Sequence, residues 1–175
     1  MPNSRPPLLC DAAAVIGAHQ AEVWTILAER YRVAVTGIIV GESHNYPDRR
    51  GDRRLIQLAP QVASGTIEQY DATLDELDSF DGRLEDRMLA MAMDPGEKEA
   101  LALIVERRLP HRFCTGDGPA IRALCHLGLH NAAVSLERAL RDVGCAPRLR
   151  DDLTEGHFLR MMRRGMRERR ELGLE

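Results

Sequence analysis

The sequence has few of the residues on which several common folds and sites depend. Its 4 cysteines stand far apart with no Cys-x-x-Cys pair, so neither a disulfide framework nor a zinc site is expected. Its 24 basic residues include a single lysine, Lys98, and the phosphate-binding loop GxxxxGK followed by Ser or Thr does not occur. No apolar run approaches the roughly 18 residues of a membrane span. An early charge, Asp11, interrupts the apolar N-terminal stretch and argues against a signal peptide, so we expect a cytoplasmic protein.

Charge is small in total and uneven along the chain. The formal net charge is −3, and 44% of the residues are hydrophobic, which is enough for a folded core without disulfides. Residues 65–89 carry eight acids against two arginines, whereas residues 156–170 carry six arginines against one glutamate. The basic segment could bind nucleic acid, dock on a partner, lie on a membrane surface, or pack on the acidic segment of the same or another chain. Charge complementarity favours the last of these interpretations.

Short apolar runs alternate with longer helical patterns along the chain. Strands are predicted at 8–10, 33–35, 65–70, 112–115 and 131–134. Helices are predicted at 14–31, 37–44, 53–64, 71–92, 94–109, 117–129, 136–144 and 154–172. This alternation predicts an α/β fold with a parallel sheet covered by helices on both faces, in which ligands bind beyond the carboxyl ends of the strands.

Four acidic residues occupy positions that set them apart from ordinary surface charges. Asp11 and Asp117 each follow an apolar predicted strand, and Glu42 and Glu97 lie on the apolar faces of predicted helices. Carboxylates brought together without partners are destabilised by desolvation and mutual repulsion, and a divalent cation removes that cost. Mg²⁺ in particular prefers oxygen ligands. The pattern therefore predicts a site for a hard divalent cation at one end of the sheet.

Each of these acids also has a simpler interpretation when it is taken alone. Asp11 and Asp117 suit the N-cap positions of the helices that follow them, and the two glutamates suit partly exposed helix edges. The acid of the third segment is open among Asp94, Glu97 and Glu99. Glu97 is preferred because Glu99 falls on the opposite face of its helix, which is expected to be solvated. The combination of acids is more specific than any one of them.

The same residues lie in stretches that resemble the PIN-domain family. The resemblance spans roughly residues 7–145 and is carried by LLCDAAAVI, VTGIIVGES, DPGEKEALALI and FCTGDGPAIRALCHLGL. In order, these contain an acid after a strand, a glutamate in a helix, a Gly-Glu pair that opens a helix, and Thr-x-Asp after a strand. The third stretch resembles the segment GE-x-EA-x-AL of one branch of the family.

The resemblance implies a three-layer α/β/α sandwich with a central parallel sheet of about 4–5 strands. It also implies a ribonuclease that depends on Mg²⁺ or Mn²⁺ and hydrolyses RNA phosphodiester bonds. Asp11, Glu42, Glu97 and Asp117 would then bind one or two cations, and Thr115 would contact metal or water indirectly. Because the family includes toxins of toxin–antitoxin pairs and many dimers, the resemblance further implies an antitoxin partner and a homodimer.

Parts of the chain depart from the family pattern. Gly116 and Gly118 flank Asp117 where many relatives carry a second acid or a nearby arginine, and they are expected to leave room beside it. The sequence divides into a PIN-like domain at 7–146 and an arginine-rich C-terminal helical extension at 147–175. The extension is a candidate surface for self-association.

A group of arginines follows Glu42 closely and offers candidate contacts to RNA phosphates, with an exposed, solvated loop as the alternative. These residues are Arg49, Arg50, Arg53 and Arg54. Two other functions stay open. One is a catalytically weak PIN-like module that binds RNA or protein without cutting, and the other is an α/β enzyme that acts on a small phosphate ester.

Overall fold

Five parallel strands form the central sheet of the protein, seen in a computed structural model that describes residues 5–174. The strands in chain order are β1 (Pro7–Cys10), β2 (Arg32–Thr36), β3 (Asn45–Pro47), β4 (Arg53–Leu55), β5 (Glu68–Tyr70), β6 (Arg112–Cys114) and β7 (Ala133–Val134). The sheet has the order β5-β2-β1-β6-β7, while β3 and β4 form a separate antiparallel pair. The parallel sheet and its five predicted strands are thus confirmed.

The helices fill the connections between the strands. The α-helices are α1 (Ala12–Gln20), α2 (Trp24–Arg30), α3 (Gly37–Glu42), α4 (Leu58–Ala63), α5 (Leu74–Arg83), α6 (Arg87–Met91), α7 (Pro95–Val105), α8 (Gly118–His126), α9 (Leu136–Asp142) and α10 (Glu155–Glu171). Two short 3₁₀ turns lie at His130–Ala132 and Asp151–Leu153. Within the described residues, no helix is long and apolar enough to cross a membrane.

The side chains of β1 alternate between two hydrophobic cores, one on each face of the sheet. Leu8 and Cys10 belong to the first core, and Leu9 belongs to the second. The first core is supplied by α1, α2, α3, α4 and α9, and the second by α5, α6, α7, α8 and α10. Helices therefore cover both faces of the sheet, as expected for parallel strands joined by helical crossovers.

The register of the central strands brings their carboxyl ends together. In the parallel pairing of β1 with β6, Cys10 lies opposite Cys114, and the Asp11 amide donates a hydrogen bond of 3.1 Å to the Cys114 carbonyl. The residues that follow these strands, Asp11 and Thr115, consequently leave the sheet side by side. Strand β2 pairs with the other side of β1 and ends at Thr36, the N-cap of α3.

Three of the predicted helices are wrong in part. The predicted helix 71–92 consists of α5 and α6, with residues 84–86 outside both. The predicted helix 14–31 is divided, because Glu22 adopts a positive φ of 60° between α1 and α2. The predicted helix 53–64 begins only at Leu58, since residues 53–55 pair with residues 45–47 as a hairpin. Hairpin pairing joins residues six to ten positions apart, so the local helical pattern did not reveal it.

Within the chain, the C-terminal helix α10 packs along α8 and not along the acidic helix α5, which corrects the intrachain form of the prediction from charge complementarity. Packing on the acidic segment of another chain stays a prediction. Gly165 allows this close approach, because a Cβ there would lie 2.8 Å from Cys125 Cβ. Glu168 accepts a hydrogen bond of 2.7 Å from Arg122 of α8, and Arg169 donates to the Cys125 carbonyl at the helix end. Apolar fit and end-capping of α8 thus place this helix.

Candidate metal centre

Asp11 begins the candidate centre at the carboxyl end of the central strand. It is the N-cap of α1, and its Oδ1 accepts a hydrogen bond of 2.6 Å from the Ala14 amide. Its Oδ2 is buried and has no hydrogen-bond partner among the described residues. Burial raises the pKa of Asp11 to about 6, although the nearby Thr115 hydroxyl acts in the opposite direction. One oxygen therefore serves the fold, and the other is free for a ligand.

Asp117 follows the neighbouring strand β6 and, like Asp11, both caps a helix and lies at the candidate centre. Its Oδ1 accepts a hydrogen bond of 2.6 Å from the Ala120 amide as the N-cap of α8. Thr115, which is fully buried, accepts a hydrogen bond of 3.0 Å from the Asp117 amide and so fixes the turn. Burial raises the pKa of Asp117, and the charge of Asp94 raises it further. Capping and a role in the site are compatible for both aspartates.

Glu97 lies at the start of α7 and points back to the residue that precedes the helix. Its Oε2 accepts a hydrogen bond of 2.8 Å from the Asp94 amide, as part of a capping box. Burial raises the pKa of Glu97 to about 8, and the nearby charges of Asp117 and Asp11 add to the increase. The charges of both aspartates at the strand ends therefore act on this carboxyl group.

Glu42, at the end of α3, completes the group from the side of β2. A Cβ on Gly96 would lie 3.0 Å from Glu42 Oε2, so α3 and α7 approach closely at this point. The pKa of Glu42 is raised by burial first, and then by the charges of Asp94 and Glu99. Thus Glu42 lies near the start of α7, as the metal-site prediction requires.

A cavity of about 240 Å³ lies among these acids. Asp11, Glu42 and Glu97 all line it, and Asp94 joins them. Asp117 does not line this cavity but lies close enough to raise the pKa values of Glu97 and Asp11. The fold therefore brings the four predicted acids to one end of the sheet and adds a fifth.

The chemistry of this group fits a hard divalent cation, although the side chains are not arranged as a finished site. All candidate ligands are carboxylate oxygens, and Asp11 Oδ2 is buried without a partner. Among residues 5–174, however, no three His, Cys, Asp or Glu side chains form a ready metal-binding cluster. Mutual repulsion of unscreened carboxylates favours such separation. Cation binding would thus require these side chains, and Glu97 above all, to move.

Glu99 is buried, which corrects the expectation that it faces solvent. Its two carboxylate oxygens accept hydrogen bonds from the Ile38 amide at 3.3 Å and the Ala72 amide at 3.1 Å. It therefore joins α7 to the first turn of α3 and to the loop before α5. The opposite face of α7 is not solvated because residues 99–104 are all buried, so the helix has no fully polar side there.

The four arginines predicted to contact RNA lie on the β3–β4 hairpin and do not line the acidic cavity. Arg49 pairs with Glu22 at 3.2 Å, and Arg54 pairs with Asp48 at 2.8 Å. Arg53 donates a hydrogen bond to the Asn45 side chain within the hairpin. These contacts agree with the alternative of an exposed, solvated segment, and Arg50 is likewise exposed.

The C-terminal segment fills the space that the glycines beside Asp117 were expected to leave open. A Cβ on Gly116 would lie 2.3 Å from the Asp152 carbonyl oxygen, and one on Gly118 would lie 2.9 Å from Met161 Sδ. The glycines are thus needed for close packing of residues 152–161 against the end of β6.

The sequence patterns did not predict one charged residue of the cavity. Arg150 lines the acidic cavity together with Asp11, Glu42 and Glu97. It lies far along the chain from these acids, in a segment without a recognisable motif. The only available signal was the apolar spacing of Leu149 and Leu153, which indicates a segment that packs on the fold.

No protein-family model matches the chain, and none of the curated proteins compared with it matches either.

Proposed function

We propose that this protein is a PIN-like ribonuclease that uses Mg²⁺ or Mn²⁺ bound by Asp11, Glu42, Glu97 and Asp117. The observation that carries the proposal is the meeting of these acids beyond the carboxyl ends of β1 and β6, around a cavity that three of them line. Ligand sites of open α/β sheets lie at this edge. The helices on both faces of a five-stranded parallel sheet agree with the three-layer sandwich of the PIN family.

The protein side chains have distinct tasks in this proposal. A bound divalent cation would supply a water of lowered pKa and neutralise charge on the phosphodiester. Asp11 offers Oδ2 from a position fixed by its Oδ1 cap, and Asp117 is fixed in the same way. Glu97 must leave the Asp94 amide to contribute both oxygens, and the raised pKa of Glu97 means that it would release a proton as it binds a cation.

The choice of RNA as substrate rests on the sequence resemblance, because the acids alone would suit other phosphodiesters. The roles of toxin, antitoxin partner and homodimer follow from the same resemblance and stay predictions. The acidic residues of α5 do not argue against RNA as strongly as their number suggests. Several have basic neighbours, including Glu76 with Arg107 at 2.6 Å and Asp81 with Lys98 at 3.7 Å.

The first prediction concerns cleavage of mixed single-stranded and structured RNAs by the purified chain. We expect cleavage with Mn²⁺ and none with chelator, because the carboxylates act only through a cation. Asp11→Asn and Asp117→Asn should each lower the rate about 100-fold or more, because each removes a charged ligand. Gel analysis of labelled RNA measures the rate.

Asp86→Asn is the matched control for this experiment. Asp86 caps α6 through the Leu89 amide at 3.0 Å, as Asp11 and Asp117 cap their helices, but it does not line the acidic cavity. Asparagine also caps helices well, so all three variants should fold. Cleavage that persists in both site variants, or that is lost equally in Asp86→Asn, would contradict the assignment.

A second candidate function is an RNA-binding module that does not cut. The hydrogen bond between Glu97 and the Asp94 amide favours it, as does the packing of residues 152–161 beside Asp117. Both features keep the acids from forming a ready cluster. RNA binding by the unaltered chain, without cleavage in Mg²⁺ or Mn²⁺, would support this function over the first.

A further inference from the structure

The segment between α9 and α10 crosses the carboxyl edge of the sheet beside the acidic cavity. Leu153 is fully buried in the first core, and a Cβ on Gly17 of α1 would lie only 2.2 Å from its Cδ1. The Asp152 carbonyl packs over Gly116 at the end of β6. His157 at the start of α10 makes a hydrogen bond of 3.0 Å with the Gly116 carbonyl. Residues 150–157 are thus held firmly against the edge that carries the acids.

This anchoring places one arginine between two cavities. Arg150 lines the acidic cavity, where it is the only basic residue among the described residues of the lining. It also lines a neighbouring cavity of about 400 Å³, together with Arg148 and Gln20. Arg150 therefore belongs to the lining of both cavities, and the second has two arginines in its lining beside the end of α1.

The guanidinium of Arg150 is available for a ligand. It makes one ion pair, to Asp152 at 2.8 Å, and both side chains are about half exposed, at 52% and 43%. Exposed pairs of this kind contribute little to stability. A guanidinium carries five N–H donors, and this pair uses one of them. The side chain of Arg148 is exposed and has no hydrogen bond or ion pair with the described residues.

The charges around the cavity indicate what this pair of arginines would bind. Three or more carboxylates repel a polyanion, so a nucleic acid can reach them only where positive charge offsets the repulsion. An arginine fork binds two phosphate oxygens at once, which a carboxylate-lined wall cannot do. Arg148, in the neighbouring cavity, offers a second guanidinium to an adjacent phosphate of the same backbone.

We propose that Arg150 and Arg148 form the phosphate-binding side of the site, with Arg150 holding the backbone phosphate next to the acids and Arg148 an adjacent one. This inference rests on the proposed function for its ligand, single-stranded RNA. It gives the C-terminal segment a part in substrate binding, since that segment supplies both arginines.

The test measures binding of a fluorescent, 2′-O-methylated single-stranded RNA, which resists cleavage, by anisotropy with Mn²⁺ and separately with chelator. Arg150→Gln should weaken binding about tenfold or more, as expected for a charge-assisted hydrogen bond to phosphate. It should also lower the slope of log affinity against log salt by about one. Arg148→Gln should weaken binding less, and Arg150→Lys should keep the salt slope while losing part of the affinity.

Arg138→Gln is the matched control. Arg138 pairs with Asp142 at 2.8 Å and its side chain is 52% exposed, the same values as for Arg150, but it lines neither cavity. It should bind RNA as the unaltered chain does. Equal affinity of Arg150→Gln and Arg138→Gln overturns the inference, and so does an unaltered chain that does not bind RNA in either buffer. Thermal unfolding of each variant checks that it is folded.

A separate titration with Mn²⁺ alone distinguishes this inference from the proposed function. Arg150→Gln should bind Mn²⁺ at least as tightly as the unaltered chain, because it removes a positive charge beside the acids. Asp11→Asn should lose Mn²⁺ binding. If the unaltered chain binds no Mn²⁺ and cuts no RNA, the proposed function fails, while the effect of Arg150→Gln on RNA affinity still decides the role of the arginines.

Discussion

At the scale of single residues, the acids of the candidate centre are held in positions that do not suit their charges. Burial and repulsion raise the pKa of Asp11 to about 6 and that of Glu97 to about 8. Such shifts cluster at functional sites, because a fold without a task for these carboxyl groups would gain stability by neutral replacements. The cost of burying these charged carboxylates close together should be visible in the free energy of unfolding measured in chelator.

A second prediction follows for the pH dependence of stability in chelator. The folded chain binds the proton of Glu97 more tightly than the unfolded chain does, so proton binding by Glu97 stabilises the folded state. This stabilisation is fully present below the pKa of Glu97 in the unfolded chain, and it is lost as the pH rises through the pKa of Glu97 in the folded chain. His19 and His111 have lowered pKa values and act oppositely, but only below their ordinary pKa of 6.5. From pH 6.5 to about 8.5, the free energy of unfolding should therefore fall by about 1–2 kcal/mol.

Glu97→Gln should remove most of this fall, since glutamine keeps the capping box and carries no charge. The control is Glu106→Gln, because Arg83 lowers the pKa of Glu106 and its charged form is already favourable. That variant should keep the fall. Urea unfolding at several pH values measures the effect, and Mn²⁺ should restore stability at high pH only where Glu97 is intact. A flat profile for the unaltered chain would contradict the prediction.

At the scale of elements, the close approach of the backbone of α10 to α8 depends on Gly165. A Cβ on Gly165 would lie 2.8 Å from Cys125 Cβ and 2.9 Å from Arg122 Cα, so the helices would have to separate. We predict that Gly165→Ala lowers the free energy of unfolding by about 1–3 kcal/mol, despite the better helix propensity of alanine. Chemical denaturation followed by circular dichroism measures this change.

Gly156→Ala in the same helix provides the comparison. The nearest atom to a Cβ there is 3.8 Å away, which is an ordinary contact. Helix propensity should then dominate, and the variant should be as stable as the unaltered chain or more stable by up to about 1 kcal/mol. If both alanine variants behave alike, the close packing of α10 on α8 is not a determinant of stability.

At the scale of the whole molecule, the sheet lies between two cores that the C-terminal segment joins. Leu153 enters the first core, whereas Phe158 enters the second. The described residues of the arginine-rich extension predicted at 147–175 thus share both cores with the rest of the chain. We therefore expect residues 5–174 to unfold as one cooperative unit.

Phe158→Ala tests whether the chain unfolds as one unit, with the natural fluorescence of Trp24, the only tryptophan in the sequence, as the reporter. Phe158 is 5% exposed, so its truncation should lower the free energy of unfolding by about 3–5 kcal/mol. Trp24 lies in the other core. The thermal unfolding transitions followed by Trp24 fluorescence and by the helical signal should nevertheless shift to lower temperature together. Two separated transitions would mean that the C-terminal helix is an independent unit.

Local sequence patterns predicted much of this fold because they report on short-range physics. Apolar runs located all five strands of the parallel sheet, and the helical pattern over 94–109 located α7. Local patterns predicted the wrong structure where it depends on contacts with other segments of the chain. They assigned residues 53–55 to a helix, although these residues pair with residues 45–47. They also placed Glu99 in solvent, although α3 and the loop before α5 donate hydrogen bonds to its carboxylate.

The sequence by itself determined which residues follow the strands and open the helices, because capping and strand endings depend on neighbours within a few residues. Asp11 and Asp117 are the clearest cases, and each caps its helix as its position predicts. Only the tertiary structure decided which acids share a cavity and that Arg150 lines it with them. The order β5-β2-β1-β6-β7 brings Glu42, Glu97 and Arg150 to one edge, and that order depends on contacts between residues far apart in the chain.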